Sequence, residues 1–145
     1  MLKFSKKADY GFIALKYLAM HSRAESYSAA DIAEVYKVSA PLMAKVLQKL
    51  AKDGLVAARH GSSGGYTLAR DPSQITALDV IRAIEGPLFI ASCVTSRGEC
   101  GVSTTCSIRE PIRRVNDSIV DVLGKVTISQ IAGEGPLAEL VELRG

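Results

Sequence analysis

Ser39-Ala40-Pro41-Leu42-Met43-Ala44-Lys45-Val46-Leu47-Gln48-Lys49-Leu50-Ala51-Lys52-Asp53-Gly54 reads as a capped helix with two unlike faces. Ser39 is an N-cap residue, and Pro41 stands in the first turn, where a missing N–H removes no helical hydrogen bond. Asp53-Gly54 supplies the stop. Leu42, Val46, Leu47 and Leu50 recur at the spacing of a buried stripe. Pro41, Lys45, Gln48, Lys49 and Lys52 fall on the other side, with no acid before Asp53. A helix built this way can rest on a core and turn a basic face to a polyanion.

The flanking residues extend this helix into a motif. Upstream, Ser28 followed by Asp31 resembles a capping box with Asp in place of Glu, and it opens a short helix to about Tyr36. Ile32, Ala33 and Val35 are expected on its inner face, and Lys37-Val38 forms the tight turn into the next helix. Before it, residues 6–22 place Phe12, Leu15, Leu18 and Ala19 at helical spacing. Downstream, residues 55–59 and 66–70 are short apolar runs around the tip His60-Gly61-Ser62-Ser63-Gly64-Gly65, which predicts a β-hairpin. Helix, helix–turn–helix and Gly-rich hairpin follow in the order of a winged helix-turn-helix. There the third helix enters the major groove of double-stranded DNA while small side chains and backbone N–H groups hold phosphates. The candidate DNA contacts are Ser28, Ser39, Pro41, Lys45, Gln48, Lys49, Arg59, His60, Ser62 and Ser63. The competing reading makes these elements ordinary core pieces with a solvated basic surface.

The distribution of charge supports the first reading. Of 145 residues with net charge +3, the first 75 hold eleven Lys/Arg and six Asp/Glu; the remainder hold seven and nine. The expected organisation is a DNA-binding head over residues 1–75 and a second part over 76–145. The latter comprises a loop at 92–107 and a long helix. The fold class is mainly α with one small hairpin. The 48% hydrophobic content suits a globular chain, and no apolar run approaches the ~20 residues of a membrane span. Without a visible secretory signal, a cytoplasmic protein is expected. No Ser/His/Asp set, paired-carboxylate site or phosphate loop is evident, and neither His21 nor His60 has an obvious catalytic neighbour, which argues against an enzyme.

All three cysteines, Cys93, Cys100 and Cys106, lie within one polar, Gly-punctuated stretch. An odd count argues against a disulfide framework. Clustered thiolates are soft ligands suited to an iron–sulfur cluster or to zinc, although the paired C-x2-C spacing of zinc sites is missing. A thiol switch and three incidental apolar side chains are the other readings. Beyond the cysteines, Pro111 fits the first turn of a long helix on which Ile112, Val115, Ile119 and Val122 form a coiled-coil-like seam. Such a seam is expected to pair with its twin in a two-fold homodimer, packing within the chain being the alternative. Thr127-Ile128-Ser129-Gln130 is a capping-box signature for a last short helix.

Residues 45–56, Gly64-Gly65-Tyr66-Thr67-Leu68-Ala69-Arg70, residues 77–86 and the three cysteines together resemble the IscR/NsrR/RirA-type family of bacterial winged-helix iron–sulfur transcription regulators. The resemblance covers almost the whole chain. It implies a homodimeric regulator, acting as a repressor on a palindromic operator and sensing iron–sulfur, redox or nitric oxide status. It also implies an iron–sulfur cluster on Cys93, Cys100 and Cys106, with 4Fe–4S ahead of 2Fe–2S. A fourth ligand is then needed. In relatives similar to IscR it is a His three residues after the last Cys, and here that position is Arg109, which stays protonated and cannot ligate. In relatives similar to NsrR it is an Asp in the first helix of the partner subunit, and the matching residue here is Asp9. Glu110 is a weaker candidate, and a solvated carboxylate near a helix N-terminus is the plainer reading of Asp9. The wing also departs from the family pattern: His60 stands where relatives commonly carry Arg, with Arg59 one place earlier.

Overall fold

The computed structural model describes residues 4–21, 24–61, 64–88 and 109–133. The described elements are α1 (Lys6–Met20), α2 (Ala29–Tyr36), α3 (Ala40–Lys52), β1 (Val56–Arg59), β2 (Gly65–Leu68), a 3-10 turn (Pro72–Gln74), α4 (Ala77–Glu85), α5 (Arg109–Lys125) and α6 (Ile128–Ile131). This is the mainly helical, single-hairpin architecture expected from the sequence.

Local chemistry explains where the helices start. Ser5, Ser28, Ser39, Thr76 and Thr127 cap α1, α2, α3, α4 and α6, each side-chain oxygen accepting a backbone N–H from the first turn. The Ser28 and Asp31 capping box is complete, as is that of Thr127 and Gln130, and a third joins Thr76 to Asp79. Lys37 closes α2 in the left-handed region at φ 54°, and Gly54 follows α3 at φ 77°.

Two inner faces differ from expectation. On α2, Val35 is 57% exposed while Ile32 and Ala33 are buried and Tyr36 is half-buried. At about 100° per residue, Tyr36 falls between Ile32 and Ala33 around the helix, and Val35 falls well outside them. On α3, Met43 joins Val46, Leu47 and Leu50 at zero exposure, and Leu42 is only half-buried at the edge of the stripe. On α1, Leu15 and Leu18 are buried as expected, together with Ala8 and Ala14, whereas Phe12 and Ala19 are half-buried.

β1 and β2 pair antiparallel, with Val56 opposite Leu68 and Arg59 opposite Gly65. Tyr27 extends this ribbon, its backbone exchanging hydrogen bonds with Tyr66 at 3.1 and 2.8 Å. The capping threonines of α4 and α6 also face one another across a bridge. Beside them Ala77 N donates to Val126 O, and Ile128 N donates to Ile75 O, both at 2.8 Å. The core gathers Leu15, Ile32, Met43, Leu47, Val80 and Ile128, so it takes side chains from both sides of residue 75.

Candidate functional site

The exposed side of α3 is built from its sequence period. Around the helix, Pro41, Lys45, Gln48 and Lys52 lie within about 60° of one another, opposite the Met43–Leu50 stripe. All four are exposed. Lys49 sits roughly 70° to the side of the centre of this exposed group. Its Nζ donates to the carbonyl of Ile84 at 3.3 Å, near the end of α4. Lys49, expected on the basic face, is thus exposed but placed on the flank that meets α4.

Ser39 is held from two directions. Its Oγ accepts the N–H of Leu42 at 3.3 Å, and its own N–H donates to the hydroxyl of buried Tyr10 at 3.3 Å. Ser28 is held by its capping box, with N–H and Oγ both engaged by Asp31. A hydroxyl that accepts still has its own O–H to donate, so both serines keep a donor for an anion.

The hairpin and the start of α2 form a second group. A hollow of about 380 Å³ with a mixed polar and apolar lining is formed by Ser28, Ala29, Arg59, His60, Gly64 and Tyr66, among others. Three of the expected contacts, Ser28, Arg59 and His60, therefore share one concave surface. Ser62 and Ser63 lie outside the described residues. A neighbouring hollow adds Glu25 and Ser26 to Arg59 and His60. The Glu25 carboxylate accepts the Tyr27 hydroxyl at 2.9 Å and holds that phenol above its ordinary range. Tyr36 is likewise raised, by burial.

Lys52, which the sequence placed on the basic face but not among the candidate contacts, shares the exposed stripe with Pro41, Lys45 and Gln48. The place of Glu25 beside Arg59 and His60 and the Tyr27–Tyr66 pairing carry no local signal in the sequence. Tyr17, His21 and Tyr27 meet as an aromatic group behind this region, with the Tyr17 and His21 rings stacked at 3.9 Å.

Cys93, Cys100 and Cys106 lie outside the described residues, as does the loop expected at 92–107. Asp9 is exposed in the first turn of α1. That turn is fastened beside the end of α4, because Ser5 N donates to Glu85 Oε1 at 2.6 Å. Arg109 opens α5, and Glu110 next to it is ion-paired with Arg113 at 4.0 Å and Arg114 at 3.6 Å. Among the described residues no group of His, Cys, Asp and Glu is placed to hold a metal ion.

The seam of α5 is open to solvent in the single chain. Val115 is 51% and Val122 60% exposed, with Ile112 and Ile119 half-buried. With Phe4 and Leu123, Val115, Ile119 and Val122 line an apolar groove of about 530 Å³. Among the described residues no helix is long and apolar enough to cross a membrane.

Comparison with known proteins bears on this arrangement. A family model named Rrf2, described as an iron-dependent transcriptional regulator, matches residues 4–134. The HTH-type transcriptional regulator IscR of Vibrio vulnificus is 29% identical over 139 residues, which is 96% of this chain and 82% of that one. The structure of CymR, the global cysteine regulator of B. subtilis, superposes with a TM-score of 0.77 at 31% identity, covering 92% of this chain and 98% of that one. IscR of T. potens gives 0.69 at 32% identity, covering 94% and 90%.

Proposed function

We propose, on the premise that this chain belongs to the Rrf2 family of transcriptional regulators, that it is a homodimeric repressor controlled by an iron–sulfur cluster on Cys93, Cys100 and Cys106. As a winged-helix, DNA-binding member of that family it is a regulator and not an enzyme. In this reading residues 1–75 meet DNA in the cytoplasm, and residues 76–145 carry the signal and the dimer contact.

The observation that carries the DNA half is the uninterrupted stripe of Pro41, Lys45, Gln48 and Lys52 on a helix whose base is fully buried. Lys45 and Lys52 meet phosphates, and Gln48 has the donor and acceptor pair that reads a base edge. Ser39 steadies the entry of the helix through Tyr10. Ser28, Arg59 and His60, with Ser62 and Ser63 beyond them, hold the backbone on the wing side. A two-fold dimer formed through α5 sets two such heads on a palindromic operator.

The donor chemistry fits the cofactor: three soft thiolates within fourteen residues, with no other cysteine in the chain to compete. Cys93, Cys100 and Cys106 would hold the cluster, with Asp9 as the fourth ligand. When bound, the cluster supplies a redox- and ligand-sensitive iron centre, with 4Fe–4S favoured over 2Fe–2S by the family pattern. A cluster-free thiol switch is the second reading, supported by the close superposition on a cysteine regulator. Anaerobic purification followed by absorption spectroscopy and iron and sulfide assay separates the two. A brown protein with iron and sulfide in equal amounts is expected, and single Cys93→Ala, Cys100→Ala and Cys106→Ala variants should each lose the chromophore. Colourless wild-type protein whose DNA affinity still responds to diamide would establish the thiol switch instead.

A further inference from the structure

The last turn of α4 is gripped by two other elements. Ile84, Glu85 and Gly86 close the helix, with Gly86 at φ 83° and its N–H donating to Arg82 O at 3.0 Å. The final carbonyls of a helix lack intrahelical donors. At Ile84 O the donor is Lys49 Nζ, a cation placed where the helix dipole is negative. At the side chain of Glu85 the donor is Ser5 N, at the start of α1. The Ile84 side chain meanwhile packs so tightly on Gly11 of α1 that a Cβ there would overlap its Cδ1. The end of α4 therefore has little freedom to move apart from α1 or α3. In sequence, Gly86 stands seven residues before Cys93, the first of the three cysteines.

Lys49 also differs from its neighbours in direction. Lys45, one turn earlier, lies on the outermost stripe of α3, whereas Lys49 lies on the flank facing α4 and has its ammonium on a carbonyl 35 residues away. The carbonyl leaves the ammonium its charge and two further N–H donors, but it directs them along the α4 flank and away from the outer stripe that Lys45 shares.

We infer that Lys49 is a positioning residue: it locks the DNA-facing helix to the last turn of α4 and so couples that helix to the part of the chain carrying the cysteines. This rests on the reading of α3 as the DNA-facing helix. It does not require a cluster.

The test compares Lys49→Gln, Lys49→Arg and Lys45→Gln in the full-length chain. The DNA probe is a duplex selected by the wild-type protein from a random 30-base-pair pool. Lys45→Gln should lower the slope of log affinity against log salt by about one, the mark of a lost phosphate contact. Lys49→Gln should leave that slope unchanged. By hydrogen exchange it should speed the amides of residues 84–86 roughly three- to tenfold, the factor of one net hydrogen bond. Lys49→Arg keeps a donor and should return exchange to the wild-type rate.

A final arm alkylates the three cysteines with iodoacetamide. The exchange of residues 45–52 should change in the wild type and not in Lys49→Gln. Loss of a slope unit in Lys49→Gln, unaltered exchange at 84–86, failure of Arg to restore it, or equal responses to alkylation in the two proteins (absent ones included) would each overturn the inference. Wild-type protein that binds no duplex fails the reading of α3 itself, a result distinct from any of these.

Discussion

Gly65 lies against the backbone of Tyr27 so closely that a Cβ on it would stand 2.5 Å from the Tyr27 carbonyl carbon and 2.7 Å from its oxygen. The wing is thereby sewn to the segment that caps α2, since Ser28 follows Tyr27 directly and Tyr66 follows Gly65. Only a residue without a side chain fits there, because the neighbouring atoms are backbone and cannot rotate away. Gly65→Ala is expected to lower stability by about 1–3 kcal/mol, the usual range for overpacking, and to weaken DNA binding by displacing Arg59 and His60. Urea denaturation followed by a duplex-binding titration checks both effects. Unchanged stability would mean that the wing does not pack on Tyr27 in solution.

The basic stripe makes a quantitative statement about Lys45. It is exposed, nearly two turns after the cap and on the line shared with Pro41 and Gln48. Lys45→Gln should weaken operator binding several-fold at moderate salt and have little effect on thermal stability, since an exposed helix position tolerates Gln well. A titration across a salt series, with a melting curve on the same sample, separates the two effects. A large drop in melting temperature would instead make Lys45 a structural residue.

Which parts of this protein were legible in its sequence follows from the range of the signals. Ser28 with Asp31, Ser39 with Pro41, and Thr127 with Gln130 lie within four residues of one another, and each capping arrangement formed where the sequence indicated. The wing was legible because Gly and Ser cluster at its tip. Side-chain direction was less so: Val35 and Leu42 are apolar and near the right faces, but Tyr36 and Met43 fit the core better by angle. The grip of Lys49 on Ile84 and the pairing of Tyr27 with Tyr66 were not legible at all. Both join residues more than thirty apart through geometry that only the packed helices create. A basic residue on an amphipathic helix looks the same in sequence whether it faces solvent, DNA or another helix end.

The groove on α5 predicts assembly. Val115 and Val122 leave more than half of their surface exposed on a helix whose other faces carry the ion pairs of Glu110 and Asp121. An apolar seam flanked by charge is expected to be covered by the same seam of a second chain. Ile119→Asp, at the centre of the groove, would place an unpaired charge in that contact, which is strongly unfavourable. The expected product is a monomer by light scattering, or a chain that precipitates, whereas Ile119→Val should remain dimeric. A soluble Ile119→Asp dimer would move the interface to another surface.

The fourth ligand gives the sharpest test of the proposed cluster. Three cysteines leave one iron without a thiolate, Arg109 cannot ligate, and Glu110 is already engaged by two arginines. The family resemblance assigns this place to Asp9, which is exposed in the first turn of α1, and the Ser5–Glu85 bond holds that turn beside the end of α4. A carboxylate oxygen is a harder ligand than a thiolate, so the iron it holds should be the most labile and the first attacked by oxygen or nitric oxide. Asp9→Ala is then expected to assemble a cluster on the cysteines, with an altered absorption spectrum and faster bleaching in air. The same change should leave the fold intact, because an exposed first-turn Asp contributes at most about 1 kcal/mol through the helix dipole. Mixed dimers decide which subunit supplies the ligand. With the three Cys→Ala changes in one chain and Asp9→Ala in the other, one normal site survives if each cluster draws Asp9 from its own subunit's neighbour in the cysteine-deficient chain. No normal site survives if the cysteines and Asp9 must come from the same chain. An Asp9→Ala protein with wild-type spectrum and decay would remove this residue from the site altogether.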